Sequence, residues 1–269
     1  MSTQLPPDEG DPLARLVPFY DLEYGGFTDD LPLYVNFARA GDGTALELGC
    51  GTGRVLRALA DAGIRAVGID CSAAMLAHAR RRLTAAGLHH VELYQLDMRR
   101  FTLGRRFGLV FAALNTFMHL ETQADQLAAL RTAAGHLTPD GRLVLDLFNP
   151  HTCVAPERSG LLMLHCEHRL EDPPRHVLHF ECQSIDLATQ RIEVTFLYDE
   201  TFPDGTVRRT AATFPMRYCY LPELELLLAA SELALEAAYG SYELDPYSSE
   251  SDRLIIVARP AHRHTTDIQ

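Results

Sequence analysis

An acidic residue followed by three alternating glycines is the part of the sequence best suited to bind a ligand. Residues 47–53 read Glu-Leu-Gly-Cys-Gly-Thr-Gly, and they lie between an apolar run and a helical pattern. Glycine has no Cβ atom, so its backbone can turn sharply and lie close to a bound molecule. Asp70 ends the next apolar run. Because ligands of parallel α/β sheets bind at the carboxyl ends of the strands, we predict a ligand site formed by this loop and Asp70.

The glycine spacing argues against two common nucleotide-binding loops. A dinucleotide fingerprint, Gly-x-Gly-x-x-Gly, would need a third glycine at position 54 or 56, where the chain has Arg54 and Leu56. A P-loop needs Gly-Lys-Ser or Gly-Lys-Thr, which the sequence does not contain. The loop is therefore expected to bind its ligand neither as a dinucleotide fingerprint nor as a P-loop.

Short apolar runs alternate with amphipathic segments on both sides of this loop. Such runs, separated by helical patterns, predict strands of a parallel sheet that is buried on both faces. Ser72 and Thr122 are predicted N-caps of the helices that follow them. The repeated strand-helix order predicts a doubly wound sheet over residues 44–150. The predicted strands are 44–48, 66–69, 91–96, 107–112 and 142–148.

The pattern changes after residue 150. Four further strand-like runs follow, at 161–170, 176–187, 191–202 and 207–218, and the last two are joined by a Pro-Asp-Gly hairpin signal. They predict an antiparallel β lobe over residues 151–220, inserted late in the α/β domain. Residues 221–269 are expected to complete the core sheet with a helix and two strands. Residues 1–43 are expected to form a leader and a helix that precedes the first strand.

Composition restricts the classes of function. The 269 residues carry 24 Lys and Arg against 36 Asp and Glu, a net charge of −12, whereas a nucleic-acid binder normally has a basic surface. No apolar run has the roughly 18 to 20 residues that span a membrane. The first residues are acidic, unlike a secretory signal. We therefore expect a cytoplasmic protein that binds neither nucleic acid nor membrane.

One group of histidines and cysteines resembles a metal site in composition but not in spacing. Residues 165–168 read His-Cys-Glu-His, and His176 and His179 follow. On a strand, Cys166 and His168 would share one face, and His165 and Glu167 would share the other. The ligands do not recur at zinc-site spacing, so no metal is predicted.

In its order of motifs the chain resembles the class I methyltransferases that depend on S-adenosyl-L-methionine (SAM). The resemblance covers about residues 20–150 and rests on the acidic residue, the three glycines, and the acids that end the second and third strands. It implies an α/β fold: a Rossmann-like, seven-stranded, doubly wound sheet whose last strand is antiparallel. It also implies SAM as cofactor and S-adenosyl-L-homocysteine as product.

The resemblance also implies which residues surround the cofactor. In this family the acid at the position of Asp70 accepts hydrogen bonds from the ribose hydroxyls, and the acid at the position of Asp97 lies by the adenine. The position of Asn115 commonly contacts the methionine moiety or the acceptor. The full set of expected cofactor residues is Glu47, Gly49, Cys50, Gly51, Gly53, Asp70, Cys71, Met75, Asp97, Met98 and Asn115.

Five residues are candidates for the acceptor side. Tyr20 and Tyr24 are similar to the N-terminal Tyr-Asp-x-x-Tyr segment in which a tyrosine closes over SAM. His119 follows the fourth strand and could act as a base near neutral pH or only position the acceptor. Arg217 and Tyr220 could contact the acceptor or belong to the edge of a strand. We predict methyl transfer to N or O of a small molecule by a monomer or homodimer.

Three alternatives remain at this point. A relative that transfers an aminopropyl group from the cofactor would need a different acidic pocket, and nothing in the sequence demands one. A SAM-binding module without catalysis would keep Asp70 but would lack an acceptor pocket. A nucleic-acid methyltransferase acting on exocyclic nitrogen usually carries Asn/Asp-Pro-Pro-Tyr after the fourth strand, where this chain reads Asn-Thr-Phe-Met at 115–118.

Overall fold

The computed structural model describes residue 11 and residues 13–261, which form eleven strands in two sheets. The larger sheet has seven strands and the smaller one four. The strands are β1 Thr44–Leu48, β2 Arg65–Asp70, β3 Glu92–Gln95, β4 Phe107–Ala112, β5 Leu137–Phe148, β6 Leu162–Glu171, β7 Pro174–Asp186, β8 Arg191–Thr201, β9 Val207–Arg217, β10 Leu233–Tyr239 and β11 Arg253–Pro260.

The seven-stranded sheet has the order β10-β11-β5-β4-β1-β2-β3. Strands β1 to β5 pair in parallel, and β11 is antiparallel to both β5 and β10. This confirms the Rossmann-like, seven-stranded fold with an antiparallel last strand. Every side chain of β4 is buried, as expected for a central strand covered on both faces. After β1 the chain adds β2 and β3 on one side of that strand and then β4 and β5 on the other. Sheets of this kind bind ligands at this switch point, between β1 and β4.

Seven helices are found among the described residues. Ser72 caps the fourth by accepting the Met75 N–H at 3.1 Å, and Thr122 caps the fifth by accepting the Asp125 N–H at 3.0 Å. Both predicted caps are confirmed. Among these helices, none is long and apolar enough to cross a membrane. The helices are α1 Val17–Tyr24, α2 Leu31–Ala40, α3 Arg54–Asp61, α4 Ala73–Ala85, α5 Gln123–Gly135, α6 Pro150–Cys153 and α7 Leu221–Ala229.

Strands β6 to β9 form the antiparallel sheet that the sequence predicts, and we call it the β lobe. Its inner face packs on α1, where the Phe19 ring stacks on Tyr198 with centroids 4.1 Å apart. The buried side chains Tyr198 and Phe214 belong to the same continuous core as Leu145 of the large sheet. The β lobe and the seven-stranded sheet therefore share one hydrophobic core. The acidic leader, up to residue 10, lies outside the described residues.

In β6, the first strand of the β lobe, side chains do not alternate strictly between the two faces of the sheet. The pairing of β6 with β7 shifts between Leu164 and Cys166, so His165 is the extra residue of a β-bulge. The Cys166 Sγ atom lies 3.4 Å from His168 Nε2, as alternation predicts. The expectation that His165 faces away from Cys166 is wrong, since ligand atoms of His165, Cys166 and His179 lie within 4.8 Å of one another.

Candidate functional site

The glycine loop turns immediately after β1 and brings its backbone against the end of β2. The Gly51 N–H donates to Asp70 Oδ2 at 2.8 Å, and the Cys50 N–H donates to the Ile69 carbonyl at 2.9 Å. Gly49 has φ of +66°, and a Cβ atom there would lie 2.2 Å from Thr116 Cγ2. Glycine is favoured at this position, because the backbone angle is left-handed and a Cβ atom would require the Thr116 side chain to move.

Asp70 lies at the carboxyl end of β2, where the sequence places it. Its second oxygen, Oδ1, accepts the Ser72 N–H at 2.8 Å, so backbone donors fix both carboxylate oxygens. Burial raises its pKa above the ordinary value, while these donors lower it. Each oxygen has a further lone pair, so a rigid acceptor pair remains for donors such as vicinal hydroxyls.

Glu47 is a buried acid without a full set of partners. The residue is 3% exposed, and its Oε2 atom has no hydrogen-bond partner among the described residues. Burial raises its pKa well above the usual value, and the carboxylates of Asp30 and Asp70 add to that effect against Arg54. It borders a small cavity that Tyr20 also lines. An unsatisfied buried carboxyl favours a cationic or hydrogen-donating ligand at this position.

The loop after β4 has a strained backbone, and residues of the neighbouring strand β5 stabilise it. Leu114 and Asn115 have φ of +46° and +67°, values that residues other than glycine rarely adopt. Asp146 of β5 accepts the Leu114 N–H at 3.0 Å and the Tyr242 hydroxyl at 3.0 Å. It also forms a buried ion pair with Arg253. Such strain persists only where surrounding contacts impose it, and it is concentrated at functional sites.

Sequence reasoning did not identify Asp146 or Arg253. The one available signal was a carboxylate inside the apolar run of β5, because a buried acid needs partners. Asn115, which was predicted, is part of the same network. Its Oδ1 atom accepts the Phe148 N–H at 2.7 Å and an Arg253 N–H at 3.2 Å. In this structure the side-chain oxygen of Asn115 therefore stabilises the loop after β4.

The remaining predicted cofactor residues lie around the glycine loop and the ends of β2 and β3. Asp97 accepts two-pronged hydrogen bonds from the Arg99 guanidinium, which lowers its pKa. A Cβ atom at Gly49 would lie 3.5 Å from Met98 Cε, so Met98 borders the loop. Cys50 and Met75 are buried and Cys71 is exposed.

Helix α1 lies across the glycine loop. The Tyr20 ring would be 3.9 Å from a Cβ atom at Gly51, and the Tyr24 ring lies beside it with centroids 5.0 Å apart. Burial raises the pKa of both phenols, that of Tyr24 to about 12, so both stay neutral. Asp21, between them, accepts the Thr52 hydroxyl at 2.7 Å and an Arg82 N–H at 2.8 Å. This carboxylate, whose anchoring role was not predicted, ties α1 to the loop and to α4.

His119 ends the short 3-10 helix Thr116–His119 that follows β4. Its ring faces Phe214 of the β lobe, with centroids 5.3 Å apart. Burial lowers its pKa to about 4, so the ring is neutral at physiological pH. Among the described residues no polar group hydrogen-bonds to this ring, which leaves its nitrogens available to a ligand.

The two candidates at the end of the β lobe differ in their surroundings. Arg217 is 5% exposed and donates to Glu223 at 2.6 Å and to Gln126 at 2.7 Å. The Tyr220 ring lies 4.9 Å from His151 and caps the start of α7 without a side-chain hydrogen bond. Whether either one contacts an acceptor stays a prediction, but the donors of Arg217 already have partners.

The residues that meet at the carboxyl edge of the sheet fit a SAM molecule. The orphaned Glu47 carboxyl suits its amino group, and the fixed Asp70 carboxylate suits ribose hydroxyls. The close approach at Gly49 leaves backbone, not side chains, along the ligand path. No nucleophile is required, since methyl transfer from a sulfonium is a direct displacement that depends on orientation.

Comparisons with known proteins agree with this geometry. Residues 45–141 match the methyltransferase domain family. The cypemycin N-terminal methyltransferase of a Streptomyces species is 31% identical over 228 residues, 84% of this chain and 87% of that protein. The dTDP-3-amino-3,6-dideoxy-alpha-D-glucopyranose N,N-dimethyltransferase of Streptomyces fradiae is 46% identical over 101 residues, 38% of each chain.

A solved structure extends the likeness to the whole chain. The CcbJ methyltransferase from Streptomyces caelestis superimposes with a TM-score of 0.78 at 27% identity, covering 94% of this chain and all of the other. The match therefore includes the β lobe as well as the sheet. Together with the cofactor loop, these comparisons show that the chain belongs to the class I SAM-dependent methyltransferases and is an enzyme that uses SAM.

Proposed function

We propose that this enzyme transfers the methyl group of SAM to an amine nitrogen of a small natural product or peptide. The relative that matches over the β lobe as well as the core is named for methylation at an N-terminus. The dimethyltransferase named for an amino sugar matches over only 38% of the chain. A terminal amine is therefore favoured over a sugar amine, because the full-length match includes the proposed acceptor side.

In this proposal the cofactor lies along the glycine loop, between Glu47 and Asp70. The Glu47 carboxyl receives the methionine amino group, and the Asp70 carboxylate receives the ribose hydroxyls. Asp97 and Met98 lie by the adenine, with Cys71 and Met75 lining the same side. Helix α1 covers the cofactor with Tyr20, and residues 151–220 provide the acceptor side, bordered by Tyr24 and Tyr220.

The observation that carries the catalytic proposal is the neutral, unpartnered ring of His119 (pKa about 4) at the junction of the two sheets. Burial keeps the ring neutral, so it does not hold a proton at physiological pH, and its unprotonated nitrogen can accept a hydrogen bond. We infer that it accepts an N–H of the neutral amine and points the nitrogen lone pair at the methyl carbon. The nitrogen forms its bond to the methyl as the sulfonium bond breaks, and its positive charge strengthens that hydrogen bond in the transition state.

The experiment uses isotope-labelled SAM and three acceptors of defined chemistry: a peptide with a free N-terminus, the same peptide acetylated, and a nucleotide-linked amino sugar. Label is expected only in the free peptide. Transfer to the amino sugar alone would reverse the preference, and transfer to the acetylated peptide would exclude the terminal amine as acceptor.

A variant tests the role of His119. His119→Ala should reduce kcat roughly 10- to 150-fold, which corresponds to one hydrogen bond to a charged group at about 1.5–3 kcal/mol, with SAM affinity unchanged. His89→Ala, in an exposed turn, is the control. Less than a threefold loss would exclude the hydrogen bond, and an equal loss of SAM binding would make His119 a support for the loop.

A further inference from the structure

A second group of chemically active side chains lies in the β lobe, outside the cofactor loop. Ligand atoms of His165, Cys166 and His179 lie within 4.8 Å of one another. Cys166 Sγ is 3.9 Å from His179 Nδ1. The methyltransferase chemistry proposed above uses none of these residues.

The fold brings this group together with a residue of α1. His179 lies on β7 and pairs with Cys166 of β6, and the bulge turns His165 toward the same place. Glu23 of α1 approaches from the opposite side, with Oε1 2.7 Å from His179 Nδ1. A bulge changes the direction of a side chain, and bulges are common next to active sites.

One nitrogen of this group is buried without a hydrogen bond. His179 is 1% exposed, and its Nε2 atom has no partner among the described residues. Its other nitrogen, Nδ1, lies 2.7 Å from Glu23 Oε1, and despite burial the contacts of Glu23 with His179 and Tyr198 lower the pKa of this carboxyl. Leaving a buried polar atom unsatisfied typically costs about 1–3 kcal/mol, so this arrangement favours a bound ligand.

We propose that His165, Cys166 and His179 bind one divalent zinc ion, with solvent as the fourth ligand, and that Glu23, which pairs with His179 Nδ1, orients that ring. Thiolate and imidazole together select zinc over hard cations such as Mg²⁺ or Ca²⁺, which prefer oxygen. On binding, the Cys166 thiol loses its proton to solvent as the sulfur-metal bond forms. All three ligands lie on β6 and β7, so the ion joins these two strands at the bulge, and the Glu23–His179 pair links the site to α1.

The test is metal binding by the full chain, without an affinity tag and with its thiols reduced. One equivalent of Zn²⁺ should bind with submicromolar affinity, as structural zinc sites generally do. Co²⁺ should replace it and give the intense visible bands of a tetrahedral site with a near-ultraviolet thiolate-to-cobalt band. Zn²⁺ should raise the Tm, whereas Mg²⁺ should not.

Matched variants locate the site. Cys166→Ser should abolish the thiolate band, and His165→Ala, at a solvent-exposed position, should weaken Zn²⁺ binding at least roughly 10- to 100-fold. Cys182→Ser and His176→Ala, on β7 but outside the cluster, should bind as the parent does. Binding weaker than about 10 μM, or unchanged in both cluster variants, would overturn the proposal.

Discussion

The cofactor side and the proposed acceptor side of this enzyme differ in the atoms that form them. The cofactor side consists largely of backbone: residues 47–53 turn tightly, and amides of Gly51 and Ser72 fix the Asp70 carboxylate. The proposed acceptor side consists of side chains from α1, the loop after β4 and the β lobe, such as Phe19, Tyr198 and Phe214. At Gly49 the backbone leaves no space for a Cβ atom unless Thr116 moves, whereas a surface made of side chains depends on each one.

This comparison leads to opposite expectations for the two sides. On the cofactor side, adding a methyl group should do more damage than removing a side chain. On the proposed acceptor side, removing a side chain should affect stability or the docking of α1 on the glycine loop more than SAM affinity.

The largest effect is expected at Gly49. Gly49→Ala should lower SAM affinity by more than about 1000-fold, because the new Cβ atom meets Thr116 at 2.2 Å in addition to left-handed strain of roughly 1–2 kcal/mol. Gly63→Ala has a similar φ of +79° but open space around it, so it isolates the strain. Calorimetry measures both, and equal affinities in the two variants would contradict the backbone model.

The next largest effect is on stability, at Arg217. Arg217→Ala should lower the free energy of unfolding by about 3 kcal/mol, because it removes the hydrogen bonds of a buried guanidinium to Glu223 and Gln126 and leaves a cavity, while Glu223 keeps its bonds to Gln123 and Gln190. Arg209→Ala, on the same strand but in an exposed pair with Asp199, should cost at most about 1 kcal/mol. Urea titration provides the measurement. If Arg217→Ala instead changed only the acceptor KM, Arg217 would be a substrate residue.

A substitution at Asp70 tests whether this carboxylate binds the ribose hydroxyls of SAM. Asp70→Ala should weaken SAM binding by roughly 1.5–3 kcal/mol for each lost hydrogen bond to a charged group. Asp97→Ala should cost less, because the Arg99 guanidinium already occupies that carboxylate. Competition binding with S-adenosylhomocysteine ranks the two. A larger loss at Asp97 would show that the adenine contact dominates.

His119 predicts a pH dependence of stability that needs no acceptor. Its pKa is about 4 when folded and about 6.5 when unfolded, so the unfolded chain binds more protons between these values. The stabilising effect of the neutral ring is complete above pH 6.5 and is lost as the pH falls toward 4. Between pH 7 and pH 5 the loss is about 2 kcal/mol. The difference between wild type and His119→Gln in urea titrations at both pH values should show this loss, and parallel pH profiles would contradict the burial of His119.

The smallest effect is expected at the junction between the two sides. Asp21→Asn removes the charged partner of Arg82 and His78, so helix α1 should leave the glycine loop more often. Hydrogen exchange of residues 15–30 should slow on adding S-adenosylhomocysteine to the wild type, and it should be several-fold faster in the variant. Asp29→Asn, at an exposed position, is the control. Identical exchange in both variants would separate α1 from cofactor binding.

Local sequence determined the elements and much of the cofactor side. The strands, the Ser72 and Thr122 caps and the glycine loop depend on residues within a few positions of one another, and apolar spacing or backbone freedom predicts them directly. Even the β lobe was predicted, from four consecutive strand-like runs and a hairpin signal. Acids at strand ends were also predictable, because parallel strands end at one edge of the sheet.

Only the tertiary structure decided which distant side chains meet. Asn115, Asp146 and Arg253 form one network although Asn115 and Arg253 are 138 positions apart in sequence. The bulge at His165 reversed a face that alternation assigns, because one extra residue shifts the register and leaves the composition unchanged. Partners such as Glu23 with His179 arise from packing α1 on the β lobe, and packing is a property of the whole chain that no short window of sequence contains.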